Sequence, residues 1–259
     1  MTDDGIHRNE IQEEAVTFDA PESFIVVSKG GDDEFGNGSF ESPLLTIAKA
    51  LASATADRNT IYVLAGEYVE AALVWPSITG ISLVALGPVT IANSDAATAV
   101  LTIAPTWTAS TFEATIRGIA IDPDAQIALK IANAAMTRKL NVYIDGLECG
   151  YHTSGDSIDV AGTVSGQAIR VYARDLSLSG LLHFTANDAG SRLRIVDSDL
   201  VGGLTCAGAV AAECTLRNVQ MLTSGITVAT EWTLCNVGCL YATNADPCVH
   251  SEFVDVYAG

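Results

Sequence analysis

Six eight-residue segments share one pattern, and this repeat constrains the fold more than any other feature of the chain. They begin at Ala114, Val142, Val171, Leu193, Cys214 and Trp232. The fifth place of each segment holds Gly, Asp or Asn, namely Gly118, Gly146, Asp175, Asp197, Asn218 and Asn236. These residue types tolerate the left-handed backbone region better than the others. The repeat therefore predicts a bend at each fifth place, which we call a corner.

Hydrophobicity alternates within each segment and changes phase at the corner. Apolar residues stand at places one, three, six and eight, and mostly polar residues stand at places two, four and seven. Because a period of two is typical of β-strands, each segment predicts two short strands that meet at the corner. Successive corners are roughly 18 to 29 residues apart, with no helix between them, which predicts about nine stacked coils of parallel strands. The sequence thus predicts an all-β, single-stranded parallel β-helix, a solenoid.

The N-terminal part of the chain has a different organisation. Residues 1–23 are acidic and lack a sustained hydrophobic period, which predicts a flexible or assembly-docking arm. A short strand at 24–27 and a loop rich in Gly and Asp follow. Ser42 and Pro43 then predict the N-cap and first position of a helix that ends near Ala56. Residues 126–138 could add another helical turn or two. We expect one domain over residues 24–259, with a cap at 24–59 and coils at 60–259.

The charge balance narrows the range of partners. The chain has 13 Lys and Arg against 31 Asp and Glu, a formal net charge of −18. Such a charge repels nucleic-acid backbones and anionic lipid, so we expect neither nucleic-acid binding nor membrane insertion. The first residues lack the basic and apolar regions of a secretory signal, which predicts a protein that is made in the cytoplasm and is not exported by the signal-peptide route. We expect the six cysteines to be reduced and mostly buried thiols.

Three blocks near the N-terminus resemble a known family. They are Val26-Val-Ser-Lys-Gly-Gly-Asp-Asp-Glu-Phe-Gly-Asn-Gly-Ser39, Ser42-Pro-Leu-Leu-Thr-Ile-Ala-Lys-Ala50 and Thr60-Ile-Tyr-Val-Leu-Ala-Gly-Glu-Tyr-Val-Glu70. The blocks resemble the cap and first coil of the pectate lyase-like superfamily, although Ala65 stands where that superfamily typically has proline. The resemblance implies a right-handed parallel β-helix with an N-terminal capping α-helix. Polysaccharide lyases, glycoside hydrolases, phage tailspikes and inactive virion proteins share this fold, so it leaves the function open.

One outward column of the predicted coils carries charges of alternating sign. Arg117, Asp145 and Arg174 occupy place four on successive coils, about 4.8 Å apart. They are either a surface ladder of ion pairs or a saccharide-binding strip in which Arg174 holds a carboxylate.

The candidate catalytic residues are Asp197 and Asp199, with Asp175 one coil away. A lyase of this superfamily would hold calcium on clustered Asp side chains, and a hydrolase would need two opposed carboxyl groups. However, corner conformation alone also explains Asp175 and Asp197. We therefore predict no cofactor, with calcium as the expectation if the protein is a lyase.

The C-terminal segment contains a possible zinc set. Cys235, Cys239, Cys248 and His250 could supply three thiolates and an imidazole. The competing interpretation places cysteine in the core as a small apolar side chain, since Cys149 and Cys239 occupy an inward place.

These observations favour a non-enzymatic structural virion protein of a tailed virus: a head-decoration, turret, spike or fibre module. We expect a homotrimer whose N-terminal arm docks on a capsid or tail protein. The alternative is a polysaccharide lyase or glycoside hydrolase, a depolymerase that acts on host surface polysaccharide. A cell-surface adhesin is a third interpretation.

Overall fold

A computed structural model of the protein describes residues 23–93, 99–122, 127–150, 156–163, 166–208, 212–221, 226–228 and 233–235. Within these ranges the chain forms one helix and eighteen strands. In chain order they are β1 (Phe24–Val27), α1 (Ile47–Ser53), β2 (Thr60–Glu70), β3 (Leu73–Val74), β4 (Ile81–Asn93), β5 (Leu101–Ile103), β6 (Phe112–Asp122), β7 (Leu129–Ala132), β8 (Leu140–Asp145), β9 (Glu148–Cys149), β10 (Asp156–Ala161), β11 (Ile169–Arg174), β12 (Ser177–Leu178), β13 (Leu181–Thr185), β14 (Arg192–Leu200), β15 (Leu204–Ala207), β16 (Glu213–Gln220), β17 (Ile226–Val228) and β18 (Thr233–Cys235). The predicted arm lies outside the described residues.

The strands form two sheets, and the chain alternates between them. The first sheet has 11 strands and includes β1, β2, β4, β6, β8, β11, β14, β16 and β18, with the short β9 and β12 beside them. The second sheet has 7 strands, in the order β17, β15, β13, β10, β7, β5 and β3. The strands pair in parallel, for example β8 with β11 and β10 with β13. The predictions of an all-β fold and of parallel strands are therefore confirmed.

The predicted corners adopt the left-handed backbone region. Gly118 and Gly146 have φ values of 66° and 69°, and Asp175, Asp197 and Asn218 have φ values of 52°, 50° and 53°. A left-handed residue between two strand segments inverts the order of the side chains, so the apolar places on both sides of the corner point inward. Buried residues indeed flank the corners at places three and six, such as Ala173 and Leu176. The sixth corner, Asn236, lies outside the described residues.

The second sheet is the part of the fold that the repeat did not reveal. The prediction of helical turns within 126–138 is wrong, because Leu129–Ala132 form strand β7, which pairs with β5 and β10. Within β7, Leu129 and Ile131 are buried while Lys130 and Ala132 are only partly buried, so the period of this strand is two. Strand β5 (Leu101–Ile103) also belongs to this sheet.

Both sheets contribute inward side chains to one hydrophobic core. In the first sheet Ile121, Cys149, Leu178 and Leu200 lie opposite one another on successive strands. In the second sheet the matching column is Leu101, Leu129, Ile158, Leu182, Leu204 and Ile226. Each fully buried Leu or Ile contributes about 1.5–3 kcal/mol by leaving water. Such columns hold adjacent strands in register, because a one-residue slip would expose them.

Helix α1 covers the β1 end of both sheets, and it begins later than predicted. Thr46 is the N-cap, and its side chain accepts a hydrogen bond from Lys49 N. Ser42 cannot fill this role because the chain is still extended at Leu44, which forms a parallel bridge with Val27. Ile47, Ala50 and Leu51 pack into the core. Within the described ranges there is no helix with the length and hydrophobicity needed to cross a membrane.

Two acidic side chains hold the first turn of α1. Asp33 Oδ1 accepts hydrogen bonds from the backbone N–H groups of Leu45 and Thr46, and Asp33 Oδ2 accepts one from Thr46 Oγ1 at 2.6 Å. Burial by itself raises the pKa of Asp33, but these hydrogen bonds outweigh it and hold the pKa below the ordinary value. Glu70 Oε1 accepts from Ile47 N at 2.7 Å, and burial raises the pKa of Glu70. The cap is therefore fixed by carboxylates at a helix N-terminus.

Candidate ligand-binding surface on the first sheet

The predicted place-four column exists on the outward face of the first sheet. Arg117, Asp145, Arg174, Val196 and Arg217 lie opposite one another on β6, β8, β11, β14 and β16. The repeat therefore predicted the register of these five strands correctly. The register of the last strand differs by two residues, because Cys235 on β18 lies opposite Thr215 and not opposite Arg217.

Arg174 already holds a carboxylate from its own chain. Its Nε and Nη2 atoms donate to Asp145 Oδ1 and Oδ2 at 3.1 and 2.6 Å, a bidentate pair. The hydrogen bonds and charge of Asp145 raise the pKa of Arg174. A ligand carboxylate would have to displace Asp145 from this fork, so the geometry favours the ladder interpretation at Arg174.

The candidate catalytic acids lie at and beyond the corners. Asp197 Oδ1 accepts a hydrogen bond from Asn218 Nδ2 at 2.7 Å, which joins two corners on adjacent strands. Asp175 Oδ2 lies 3.5 Å from Arg174 Nε. Asp199 lies past its corner, opposite Ser177 and Gln220. Asp197 and Asp175 each adopt the left-handed corner conformation, and each has a side-chain partner. Their positions therefore need no catalytic explanation.

A stacked tyrosine pair stands in the column beside the charged ladder. The rings of Tyr143 and Tyr172 are 5.3 Å apart between centroids and 13° from parallel. They occupy adjacent strands, and Arg194 follows Tyr172 in the same column. Tyr143 is 38% exposed and Tyr172 is partly buried, so part of the pair is open to solvent.

Two cavities adjoin the tyrosine pair and share Tyr172 and Arg194. One has a volume of about 310 Å³ and is also lined by Arg192, Leu193, Glu213 and Thr215. The other has a volume of about 300 Å³ and is also lined by Ala173, Arg174 and Val196. Aromatic faces pack against the apolar faces of flat ligands, while guanidinium groups bind carboxylates and phosphates. We call Tyr143, Tyr172, Arg192 and Arg194 the tyrosine–arginine surface.

The sequence contained a signal for this surface. Tyr143 and Tyr172 both stand at place two of their segments, one place before the inward residue at place three. Reading the place-two column in the same way as place four would have brought them together. Arg192 immediately precedes its segment, and its pairing with Glu213 at 3.1 Å depends on the register of β14 and β16.

The predicted zinc set cannot be assembled from the described residues. Cys239, Cys248 and His250 lie outside them, and only the backbone of Cys235 is described. The thiols of Cys149, Cys206 and Cys214 are buried, as expected. Burial raises the pKa of Cys149 to about 12, so its thiol stays protonated and unreactive at neutral pH.

A further group of polar side chains on the second sheet was missed by the sequence analysis. Asp156, Asp159 and His183, which we call the second-sheet cluster, bring one ligand atom each within 4.8 Å of the others. The signal lay in the separation of Asp159 and His183, which falls within the range of the corner spacings. The separation indicates a contact only once Asp159 and His183 are known to lie opposite one another on paired strands of the second sheet.

Comparisons of this chain with protein-family models, with curated proteins and with solved structures found no match.

Proposed function

We propose that the chain is a non-enzymatic structural protein of the virion of a tailed virus, serving as a head-decoration, turret, spike or fibre module. In this proposal the two sheets wind as a right-handed parallel β-helix of the pectate lyase-like superfamily. Three features support that winding: the regular alternation of the chain between the sheets, the left-handed corners, and a short helix over the first layer. In a stack of this kind each layer contacts only its neighbours, so the scaffold extends along one axis by the addition of layers.

The observation that carries the proposal is the structural role of the outward polar residues. Asp197 pairs with Asn218 at adjacent corners, and Asp145 pairs with Arg174 along the ladder. Side chains that are occupied by one another in this way, and are not aimed at a ligand, are expected of a structural module. An enzyme built on the same scaffold would instead need carboxyl groups aimed at a substrate.

The need to cover exposed strand edges is the second argument for a structural protein that assembles. Stacked parallel strands leave edges that must be covered, by a cap at one end and by a partner or a further segment at the other. Gly38 and Leu44 hydrogen-bond to the β1 edge and helix α1 packs beside it, and a homotrimer would cover other edges. The acidic arm at 1–23 is proposed to dock on a capsid or tail protein after synthesis in the host cytoplasm.

Light scattering on the full-length chain, combined with a product assay, tests the proposal. A trimer would have about three times the 27.0 kDa mass of one chain. We expect that mass, and no release of reducing ends or unsaturated products from acidic or neutral polysaccharides. A strict monomer, or turnover of any polysaccharide, would contradict the proposal.

The tyrosine–arginine surface favours a second candidate function, which is the binding and cleavage of a host surface polysaccharide by a lyase or hydrolase. A stacked aromatic pair beside Arg194 suits an acidic sugar chain, whereas Arg192 already pairs with Glu213. Because the net charge of −18 opposes a polyanion, calcium would be expected to assist.

A polysaccharide screen with and without calcium distinguishes the two functions. Tyr62, on β2 of the same sheet with its ring against Phe24, is the control. Binding that Tyr172→Ala abolishes and Tyr62→Ala retains, without products, would make the surface an adhesive part of a structural protein. Product formation that Asp197→Asn or Asp199→Asn removes would establish the enzyme. Activity that survives both substitutions would exclude these acids as its catalytic residues.

A further inference from the structure

The second-sheet cluster brings together the ligand types that a transition metal uses. Asp156 and Asp159 lie on β10, and His183 lies opposite Asp159 on the neighbouring strand β13. His183 Nδ1 is 3.8 Å from Asp156 Oδ2 and 3.8 Å from Asp159 Oδ1. All three side chains are partly exposed, with 26%, 19% and 34% of their surfaces accessible, so an ion could enter from solvent.

The separations are close to those of a metal site. Because two of the separations are 3.8 Å and the third is within 4.8 Å, the point that lies in the plane of the three atoms and is equidistant from them is at most about 2.5 Å from each atom, whereas zinc bonds to imidazole nitrogen and carboxylate oxygen are about 2.0–2.2 Å long. Movements of about 0.4 Å by each side chain would therefore complete the bonds. Side-chain rotations supply movements of that size without a shift of the strands.

The other ring nitrogen of His183, Nε2, has a hydrogen-bond partner that can orient the imidazole. His183 Nε2 is 3.3 Å from the hydroxyl oxygen of Thr185, two residues along β13. When Nε2 carries the ring proton and donates a hydrogen bond to Thr185 Oγ1, the lone pair of Nδ1 faces the two carboxylates. Metal-binding histidines are commonly oriented by such a hydrogen bond from the other ring nitrogen.

We propose that Asp156, Asp159 and His183 form a binding site for one divalent first-row transition metal ion, such as Zn²⁺ or Co²⁺. An imidazole among the ligands favours these ions over Ca²⁺ and Mg²⁺, which prefer oxygen alone. Three protein ligands leave at least one position for water. Since the ligands come from β10 and β13, the ion would link two adjacent layers of the second sheet.

Lys130 is the cation nearest to this site in the strand register. It lies opposite Asp159 on β7, on the side away from His183. Its positive charge would oppose a bound cation through space. Lys130→Gln is therefore expected to tighten metal binding several-fold, whereas loss of an unrelated lysine would leave it unchanged.

Titration of the reduced full-length chain with Co²⁺ tests the proposal, because its absorption spectrum reports the ligand type. Oxygen and nitrogen ligands give visible d–d bands alone, and thiolates add intense near-ultraviolet charge-transfer bands. We expect one equivalent of Co²⁺ to give d–d bands that disappear in His183→Gln and in Asp159→Asn. Thr185→Val should weaken binding by about 10-fold, at the low end of the effect of removing such a partner.

Asp145→Asn is the matched control, since it removes a partly exposed acid from the other sheet, and circular dichroism checks that each variant folds. Loss of the bands in folded His183→Gln, with retention in Asp145→Asn, would support the site. Identical spectra for the wild type and His183→Gln would overturn it, as would the absence of binding or bands that arise only from thiolates. Asp156→Asn gives the same test if His183→Gln does not fold.

Discussion

The two sheets share one hydrophobic core but differ in strand length and in how they turn. In the first sheet, β2, β4, β6 and β14 are 9 to 13 residues long, and β6 and β14 pass through a left-handed corner. The described second-sheet strands have 2 to 6 residues. Both nevertheless bury continuous apolar columns. A left-handed corner therefore makes a coil visible in the sequence, whereas burial by itself does not.

The largest expected effect tests whether the sheets depend equally on the core. Phe112 of the first sheet and Phe184 of the second are both fully buried. Replacing either with alanine should lower the free energy of unfolding by about 3–5 kcal/mol, because a large cavity remains in each case. Urea denaturation measures both changes. Phe35, which is 77% exposed, supplies the control, and Phe35→Ala should change stability by less than about 0.5 kcal/mol. A loss of less than about 1 kcal/mol for Phe184→Ala alone would show that the second sheet is peripheral.

The second prediction concerns the corners, which distinguish the first sheet. Gly146→Ala should cost about 1–2 kcal/mol, because alanine disfavours the left-handed backbone. Space is not limiting there, since an added Cβ would lie 3.5 Å from Gly118 Cα, an ordinary contact. Gly150 is a matched control four residues away, as it lacks a positive φ and a Cβ there would meet its nearest atoms at 3.8 Å. Thermal unfolding should show a lower midpoint for Gly146→Ala and no decrease for Gly150→Ala. Equal effects would remove the corner from the explanation.

The third prediction tests whether one cap serves both sheets. Helix α1 contacts β2 of the first sheet and β3 of the second. Asp33→Ala removes the acceptor for Leu45 N, Thr46 N and Thr46 Oγ1, and we expect a loss of about 1–2 kcal/mol. Hydrogen exchange should accelerate in β2 and β3 together, whereas Glu34→Ala, at an exposed site, should leave both unchanged. Acceleration in only one sheet would contradict a shared cap.

The same variant has a predicted pH dependence. The pKa of Asp33 is lowered in the folded protein, so its stabilising effect is complete above the ordinary value of 3.8 and is lost as the pH falls through the lowered pKa. The stability difference between wild type and Asp33→Ala should therefore shrink on acidification below pH 3.8. A difference that stays constant through this range would mean that the carboxylate charge has no part in the cap.

The smallest effect is expected for the outward ladder. Arg174 and Asp145 form a bidentate pair on the surface of the first sheet. Exposed ion pairs are screened by water and salt, so a double-mutant cycle with Arg174→Gln and Asp145→Asn should give a coupling within experimental error. The exposed pair of Arg192 and Glu213 is the matched comparison. A strong coupling at Arg174 alone would indicate a role for the ladder beyond surface pairing.

Prediction from sequence succeeded where local backbone chemistry determines the structure. Gly118, Asp175 and Asn218 revealed corners because few residue types accept a left-handed conformation. It failed at the helix N-cap, since Ser42 and Pro43 form a local helix signal but the bridge from Leu44 to Val27 keeps the chain extended. It also failed at Leu129–Ala132, a four-residue strand whose partners lie far away in the sequence.

The candidate sites also divide into one that local corner residues revealed and one that depends on strand pairing. The column of Arg117, Asp145 and Arg174 was predicted because it lies in register with the corners. The cluster of Asp156, Asp159 and His183 was not, because its register belongs to the second sheet. Side-chain pairing, such as the capture of Arg174 by Asp145, depends on rotamers that a sequence pattern does not specify.

The central claim, that the chain is a structural part of a virion, is tested most directly by immunogold electron microscopy of virus particles. An antibody raised against the purified full-length chain would label particles produced by the genome that encodes it. The account predicts gold at defined positions on the head or tail of intact particles, and loss of label when the gene is deleted. Unlabelled particles, in lysates that contain the chain in soluble form, would contradict it.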